Sequence, residues 1–259
     1  MAKVTIVFKM ISATILALFT AIGGLFGFAP ENDVCMIAHR GYSGSYPENT
    51  ELAFVEAAKH GSGGAETDVR MTKDGVYVLS HNSSAVMEDG TEMAIADYTY
   101  EELTAQPLKN KKTKDKVYLC TFKRYLEVMK ENDMICFIEL KGDFTKEQVK
   151  EIFLIAEETY DLSKCILQSF EFDNLISARE LFPDLPLMLT YGYGDGDYSD
   201  CFKYGISIDA EYWAITDEMI KEFHDNGLEV GAWTANLYPV VAYCKNMGVD
   251  YIESDVYGG

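Results

Sequence analysis

The feature that most constrains the fold of this chain is a regular alternation of short apolar runs with helical patterns, which begins near residue 34 and continues almost to residue 256. Such alternation is typical of βα units, whose strands pair in parallel. Leaving aside one hairpin, we count eight strand-like runs. This number predicts a closed (β/α)8 TIM barrel rather than an open sheet. The predicted strands are 34–38, 64–70, 135–140, 165–168, 187–190, 206–208, 229–233 and 251–253.

Two segments show neither the strand-like nor the helical spacing of apolar residues. Residues 83–118 end in a basic cluster, KNKKTKDK, and are compatible with a lid or substrate-facing insertion or with a solvated loop, of which we favour the loop. Residues 191–205, rich in Gly, Tyr and Asp, are predicted to be a loop. The first helix is expected to begin at a cap formed by Asn49 or Thr50, and a later one at the capping box of Thr145 and Gln148.

The N-terminal segment, residues 1–29, differs from the rest of the chain. Lys3 and Lys9 precede an uncharged apolar run over residues 10–29, a pattern typical of a signal peptide or of an N-terminal membrane anchor. Both alternatives place the barrel domain, residues 30–259, outside the cytoplasm, because positive residues precede the run. We therefore expect an exported protein, extracellular or anchored to the outer face of the cytoplasmic membrane.

A stretch from residue 37 to 82 concentrates titratable side chains. His39 and Arg40 follow the first predicted strand, so they lie at its carboxyl end. Glu66 and Asp68 are two residues apart on the second strand, and the alternation of a strand puts both carboxylates on one face. Two neighbouring buried carboxylates repel each other unless a cation lies between them. The spacing therefore indicates a metal site.

A predicted hairpin brings a second histidine to the same place. Asp74-Gly75 is a strong two-residue turn signal flanked by alternating apolar residues. If these two residues form the turn, Asp68 pairs with His81. Two histidines, an arginine and a carboxylate cluster would then supply an acid, a base, an anion clamp and a metal seat.

In these motifs the chain resembles the glycerophosphodiester phosphodiesterase family. The resemblance covers residues 34–256 in motif order and implies a (β/α)8 barrel with a short hairpin arm after the second strand, in which a divalent metal assists phosphodiester hydrolysis. The matching motifs are HRG at 39–41, PENT at 47–50, E-x-D at 66–68, TKDG at 72–75 with the histidine at 81, ELK at 139–141, QSF at 168–170, WTAN at 233–236, GVD at 248–250, and Asp255.

The resemblance also implies roles for individual side chains. His39 and His81 would be the general acid and base, and Arg40 and Lys141 would hold the phosphate. Trp233 would stack on the substrate's glycerol or fill the barrel mouth. Four carboxylates without a cysteine suit one hard cation, Ca²⁺ or Mg²⁺. The implied metal ligands are Glu48, Glu66, Asp68 and Glu139.

Charge limits the partners of this protein. The net charge of −20 repels nucleic acid and anionic membranes. We therefore expect no nucleic acid partner and membrane contact only through the N-terminal segment, while the resemblance implies a small glycerophosphodiester as the substrate. The expected activity yields glycerol 3-phosphate and an alcohol, and the alternatives are a non-catalytic phosphodiester-binding protein or a lysophospholipase D-like enzyme. The six cysteines are expected to be free, since three of them fall in apolar strand runs.

Overall fold

The computed structural model describes residues 34–256 and confirms the (β/α)8 barrel. Eight parallel strands form one sheet, and the last strand pairs with both its predecessor and the first, so the sheet is closed. The barrel strands are β1 (Cys35–Ala38), β2 (Gly64–Met71), β6 (Ile135–Leu140), β7 (Cys165–Ser169), β8 (Leu187–Tyr191), β9 (Ser207–Glu211), β10 (Val230–Trp233) and β11 (Tyr251–Ser254).

The helices surround the barrel, and two of them begin at the predicted caps. The Thr50 hydroxyl accepts a hydrogen bond from the Ala53 amide, and Thr145 forms a capping box with Gln148. Thr50 rather than Asn49 is thus the cap. The helices are α1 (Glu51–Lys59), α2 (Tyr100–Thr104), α3 (Phe122–Glu131), α4 (Lys146–Thr159), α5 (Phe172–Leu181), α6 (Asp200–Tyr204), α7 (Asp217–Asp225) and α8 (Tyr238–Met247).

The predicted leader lies outside the described residues. Between residues 34 and 256, no helix combines the length and apolar character that crossing a membrane requires. The six cysteines all fall within this part of the chain, and all are free thiols, as expected.

The barrel interior changes from apolar to polar along the strands. Ile37, Phe137, Ile166 and Met188 form a small buried cluster. Side chains two residues further along a strand share its face, so Glu139 lies above Phe137 and Gln168 above Ile166. The polar end is therefore the carboxyl end of the strands, where TIM-barrel sites are built.

The hairpin after β2 forms, but the predicted register is wrong by one residue. β3 (Tyr77–Leu79) runs antiparallel to β2 with Val69 opposite Leu79, so Ser80 rather than His81 is opposite Asp68. The reason lies in the turn. Thr72 bonds to Val76 across a three-residue loop that ends at Gly75 with φ +81°, instead of the two-residue turn.

Two predicted loops contain structure that their sequences do not reveal. Residues 83–118 include the hairpin of β4 (Ser84–Val86) and β5 (Glu92–Ala94) together with α2, and residues 191–205 include α6. These elements are too short to show a period. The 83–118 segment also shares a buried core with β3 and with Leu119, so a purely solvated loop is wrong. That core comprises Val78, Ala85, Met87, Ile95, Leu103 and Leu119.

Candidate active site

The candidate site lies where β1, β2 and β6 end. His39 and Arg40 directly follow β1, and the parallel register of β2 with β6 places Asp68 beside Glu139. The strand order therefore joins residues 39–40, 66–68 and 139–141, which are far apart in the chain.

Three buried carboxylates form the centre of the site. Glu66, Asp68 and Glu139 each offer an oxygen within 4.8 Å of the others. Burial, reinforced by the charge of Asp68, raises the pKa of Glu66 well above its ordinary value, and burial also raises the pKa of Glu139. Burial would likewise raise the pKa of Asp68, but Lys141 and Arg40 lower it on balance.

This donor set fits a divalent cation. Glu66 Oε1 is buried and has no hydrogen-bond partner among the described residues, which is costly for a carboxylate oxygen unless an ion satisfies it. All three donors are hard oxygens, which suit Ca²⁺ or Mg²⁺.

Two cationic side chains adjoin the carboxylates. Lys141 Nζ lies 2.7 Å from Glu139 Oε1 and 3.0 Å from Asp68 Oδ1, while Arg40 Nε lies 3.4 Å from Asp68 Oδ2. The Arg40 backbone N–H donates to Glu66 Oε2 at 2.9 Å. Burial would lower the pKa of both side chains, but the neighbouring carboxylates raise it. Both therefore carry full positive charge at the centre of the site.

Glu48 is placed apart from the three central carboxylates. Its side chain is exposed and contacts Arg40 Nη1 at 3.3 Å. The metal-binding role that the resemblance implies for Glu48 remains a prediction, while its observed contact orients the Arg40 guanidinium.

His39 belongs to a chain of hydrogen bonds. Its Nδ1 lies 2.7 Å from Asp255 Oδ1, and that carboxylate also accepts from the Ser43 hydroxyl at 2.9 Å and the Asn236 amide at 2.6 Å. Burial would raise the pKa of Asp255, but the hydrogen bond with His39 helps to lower it to about 2. The ionised Asp255 holds Nδ1 and leaves Nε2 for the substrate.

His81 lies just beyond β3 and is half-buried. Burial lowers the pKa of His81, the charges of Arg40 and Lys141 lower it further, and the charge of Asp68 opposes them. The ring thus lies within the field of the same charged groups. The structure therefore brings both predicted histidines to the site despite the shifted register.

Arg70 holds the backbone that carries His81. Its Nε donates to the Ser80 carbonyl at 3.0 Å and its Nη2 to the His81 carbonyl at 2.6 Å. Nothing in the sequence pattern indicates this contact, because the position of the two carbonyls depends on the hairpin loop.

We expect Arg70→Lys to lower kcat on glycerophosphocholine by about tenfold or more, because a single ammonium cannot replace a planar fork that donates to two carbonyls. KM should change by less than about threefold, since Arg70 does not contact the phosphate-binding side chains. Arg179→Lys is the matched control, because Arg179 also donates to carbonyls, including those of Tyr204 and Gly205. Steady-state kinetics showing equal losses in both variants would contradict the assignment.

Two further side chains support the site. Asn49, with φ +56°, donates its amide N–H to Asp68 Oδ2 at 2.7 Å, and its oxygen accepts from the Thr67 hydroxyl and the Asp68 amide. Gln168, from the QSF motif, is buried and donates to Asp209 and Glu253 inside the barrel. The sequence indicates Asn49 as a possible helix cap and as part of the PENT motif, but not its hydrogen bonds to β2.

Trp233 lies at the rim and is half-buried. Its Nε1–H donates to the Asp209 carbonyl at 2.9 Å, and its ring meets Phe170 edge to face at a centroid distance of 6.0 Å. Phe170 in turn lies 5.8 Å from Lys141 Nζ. The Phe170 ring therefore lies between Trp233 and the Lys141 ammonium group.

A TIM barrel whose mouth joins two histidines and two cations around three buried carboxylates has the acid–base and anion-binding groups of the class of phosphate-ester hydrolases. The model of the glycerophosphoryl diester phosphodiesterase family matches residues 39–258. The chain belongs to this family and is thereby a phosphoric diester hydrolase.

Individual relatives agree with this family. The glycerophosphodiester phosphodiesterase of Caldanaerobacter subterraneus is 27% identical over 226 residues, 85% of this chain and 93% of that protein, and the one of Bacillus altitudinis is 27% identical over 232 residues, 85% and 94%. A phosphodiesterase of Oleispira antarctica, solved in complex with the product sn-glycerol-3-phosphate, has a TM-score of 0.75 at 20% identity over 85% of this chain and 92% of that chain. This likeness shows the fold.

Proposed function

We propose that this protein hydrolyses glycerophosphodiesters to glycerol 3-phosphate and an alcohol, with one bound divalent cation, Ca²⁺ or Mg²⁺. The observation that carries the proposal is the convergence of two histidines and two cations on three buried carboxylates. The activity in the names of the two bacterial relatives, and the product found in the Oleispira antarctica phosphodiesterase, support the choice of substrate.

Glu66, Asp68 and Glu139 are the residues that would hold the cation, with Glu48 as the predicted fourth ligand. When bound, the cation draws negative charge off the phosphate. Arg40 and Lys141 bind the non-bridging phosphate oxygens and stabilise the charge that develops on them in the transition state.

The two histidines divide the proton transfers. The lowered pKa of His81 keeps its ring neutral near pH 7 and suits it to accept a proton from the nucleophile. His39, held by Asp255, donates a proton to the leaving alkoxide. The nucleophile is water or the neighbouring glycerol hydroxyl, and the second route passes through a cyclic phosphate. We also propose that the reaction takes place outside the cytoplasm.

The test is to incubate the purified protein with glycerophosphocholine and glycerophosphoethanolamine, with a chelator or with added Ca²⁺ or Mg²⁺, and to identify the products. We expect glycerol 3-phosphate and the free alcohol, and early time points that contain a cyclic phosphate identify the glycerol hydroxyl as nucleophile. Binding of either compound without turnover under all these conditions would favour the non-catalytic alternative.

A further inference from the structure

A basic loop at residues 109–116 is not used by the proposed reaction. It contains five lysines and one aspartate, in a chain whose net charge is −20. The loop is closed at its base, where the Leu108 N–H donates to the Val117 carbonyl and the Lys109 N–H donates to the Val86 carbonyl, both at 2.8 Å. The basic loop is therefore anchored to β4 and has a defined position.

The side chain of Asn110 determines the shape of the basic loop. Its oxygen accepts from the backbone N–H groups of Lys112 and Thr113 at 2.9 and 3.1 Å. Its amide group donates to the Thr113 hydroxyl at 2.7 Å and to the Asp115 carbonyl at 2.9 Å. Because one asparagine makes all four contacts, it also determines the direction in which the Lys112 side chain leaves the loop.

Lys112 reaches from the basic loop to the turn that carries the proposed acid. Its ammonium group donates to the carbonyl of Ser43, which lies four residues after His39 in the turn that follows β1. The Ser43 hydroxyl lies 2.7 Å from the His39 carbonyl oxygen and 2.9 Å from Asp255 Oδ1, the atom that contacts the His39 ring. The basic loop therefore lies against the β1 side of the mouth.

The lysines of the basic loop keep unneutralised charge. All five are exposed, and the ion pairs formed within residues 34–256 include none of them. A lysine ammonium has three N–H donors, and Lys112 uses one of them on the Ser43 carbonyl. The remaining donors of Lys112 are therefore available to an anion at the edge of the mouth.

The proposed reaction directs the leaving alcohol toward this edge. His39 is the proposed proton donor to the leaving alkoxide, so the oxygen of the departing headgroup lies at His39 in the transition state. The rest of the headgroup extends outward from there, beside the turn that Lys112 contacts. An anionic group on the headgroup therefore lies in the field of the basic loop.

We propose that the basic loop selects glycerophosphodiesters whose leaving alcohol carries a second anionic group, a phosphate or a carboxylate. Lys112 binds this group, and Lys111 and Lys114 add to the positive field around it. The inference rests on the proposed function, because it names the substrate class of the same site.

The bonds that change are those of the proposed reaction. The oxygen of water bonds to phosphorus while His81 accepts its proton, and the bond from phosphorus to the headgroup oxygen breaks. His39 gives its proton to the leaving alkoxide. The products are glycerol 3-phosphate and the anionic alcohol.

Local charge outweighs net charge for a small ligand at this position. Exposed charges are largely screened beyond about 8 Å at physiological ionic strength, so an anion at Lys112 is influenced by the basic loop more than by distant acidic residues. Nucleic acid or an anionic bilayer would also cover the acidic body of the protein and be repelled by it. The basic loop therefore fits a small anionic headgroup.

Three variants of the basic loop test the subsite. Lys112→Gln removes the central charge, and Lys112→Arg keeps it. The triple variant Lys111→Gln/Lys112→Gln/Lys114→Gln removes three charges from the same loop. Lys150→Gln is the matched control, because Lys150 is an exposed lysine on α4 in the outer layer of the barrel.

The measurement is the ratio of kcat/KM for two substrates that differ by one phosphate, glycerophosphoinositol 4-phosphate and glycerophosphoinositol. We expect a wild-type ratio of about ten or more. Lys112→Gln should lower this ratio by about fivefold, the upper range for one exposed ion pair, and the triple variant by about tenfold or more. Lys112→Arg and Lys150→Gln should change it by less than about twofold.

Ionic strength and a second substrate pair extend the test. Added salt should lower the wild-type ratio and leave the ratio of the triple variant unchanged, because salt screens exposed charges. Glycerophosphoserine and glycerophosphoethanolamine differ by one carboxylate. A preference for the anionic member of both pairs supports selection of either anion, and a preference in the phosphate pair alone assigns the basic loop to a phosphate.

The outcomes separate the subsite from the proposed function. If Lys112 only held the turn after β1, Lys112→Gln would lower kcat/KM equally on both members of a pair. That result, or a wild-type ratio near one in both pairs, would overturn the subsite and leave the function intact. If the wild type turns over none of the four compounds, the proposed function fails, and calorimetric binding of glycerophosphoinositol 4-phosphate decides the subsite. Tighter binding to the wild type than to the triple variant then supports it, and equal binding overturns it.

Discussion

His81→Ala and His39→Ala are each expected to lower kcat on glycerophosphocholine by a factor of about 10² to 10⁴, the usual range for a general acid or base. Neither histidine can replace the other. His39 is held by Asp255 after β1, whereas His81 is held through its backbone by Arg70 after β3. Steady-state kinetics at saturating substrate and metal measure the loss.

His224→Ala is the control for these variants, because His224 is paired with Asp250 on the outside of the barrel. It should retain wild-type turnover. Either active-site variant retaining more than about a tenth of wild-type kcat would refute its role, since that loss is below the range for proton transfer.

The same assignment predicts the sign of the pH dependence. If His81 must be neutral to accept a proton, kcat/KM falls as the pH decreases through its pKa. Burial lowers that pKa below its ordinary value of 6.5, so the acidic limb of the profile should have its midpoint below pH 6.5. A midpoint above this value would contradict the role of His81 as base.

Removal of the metal is expected to abolish activity, and Ca²⁺ or Mg²⁺ should restore it. Glu66→Gln and Asp68→Asn should each raise the metal concentration for half-maximal activity by about tenfold or more, because each removes one charged ligand. The measurement is activity and calorimetric binding as functions of metal concentration.

Glu180→Gln is a suitable comparison, since this exposed carboxylate pairs with Lys146 on the outer helices. It should leave the metal dependence unchanged. Metal-stripped wild type that retains full activity would show that Lys141 and Arg40 suffice to bind and activate the phosphate.

The fold was predictable because it depends on the periodic spacing of apolar residues, which can be read directly from the sequence. Each of the first seven barrel strands is an apolar run with a helix between it and the next barrel strand, so the order of elements and their closure follow from counting. The i, i+2 spacings of Glu66 with Asp68 and of Glu139 with Lys141 likewise determine their faces. Parallel pairing then brings the two strand ends together.

The features of the site that the sequence did not predict depend on loop geometry or on contacts between residues distant in the chain. One extra residue in the hairpin loop moved His81 out of register with Asp68. Asp255 supports His39 from 216 positions away. Arg70 reaches two carbonyls whose position the loop determines. Neither propensity nor periodicity contains this information.

The direction in which β1 and β11 run has a practical consequence. β1 starts at the apolar end of the barrel and runs toward the mouth, while β11 also ends at the mouth, where Asp255 contacts His39. A tag or solid support attached just before β1 would lie at the apolar end of the barrel. One attached after residue 256 would lie at the mouth, beside His39 and Asp255. The mouth therefore faces away from the end of the barrel at which β1 starts, toward molecules arriving from solution on the opposite side.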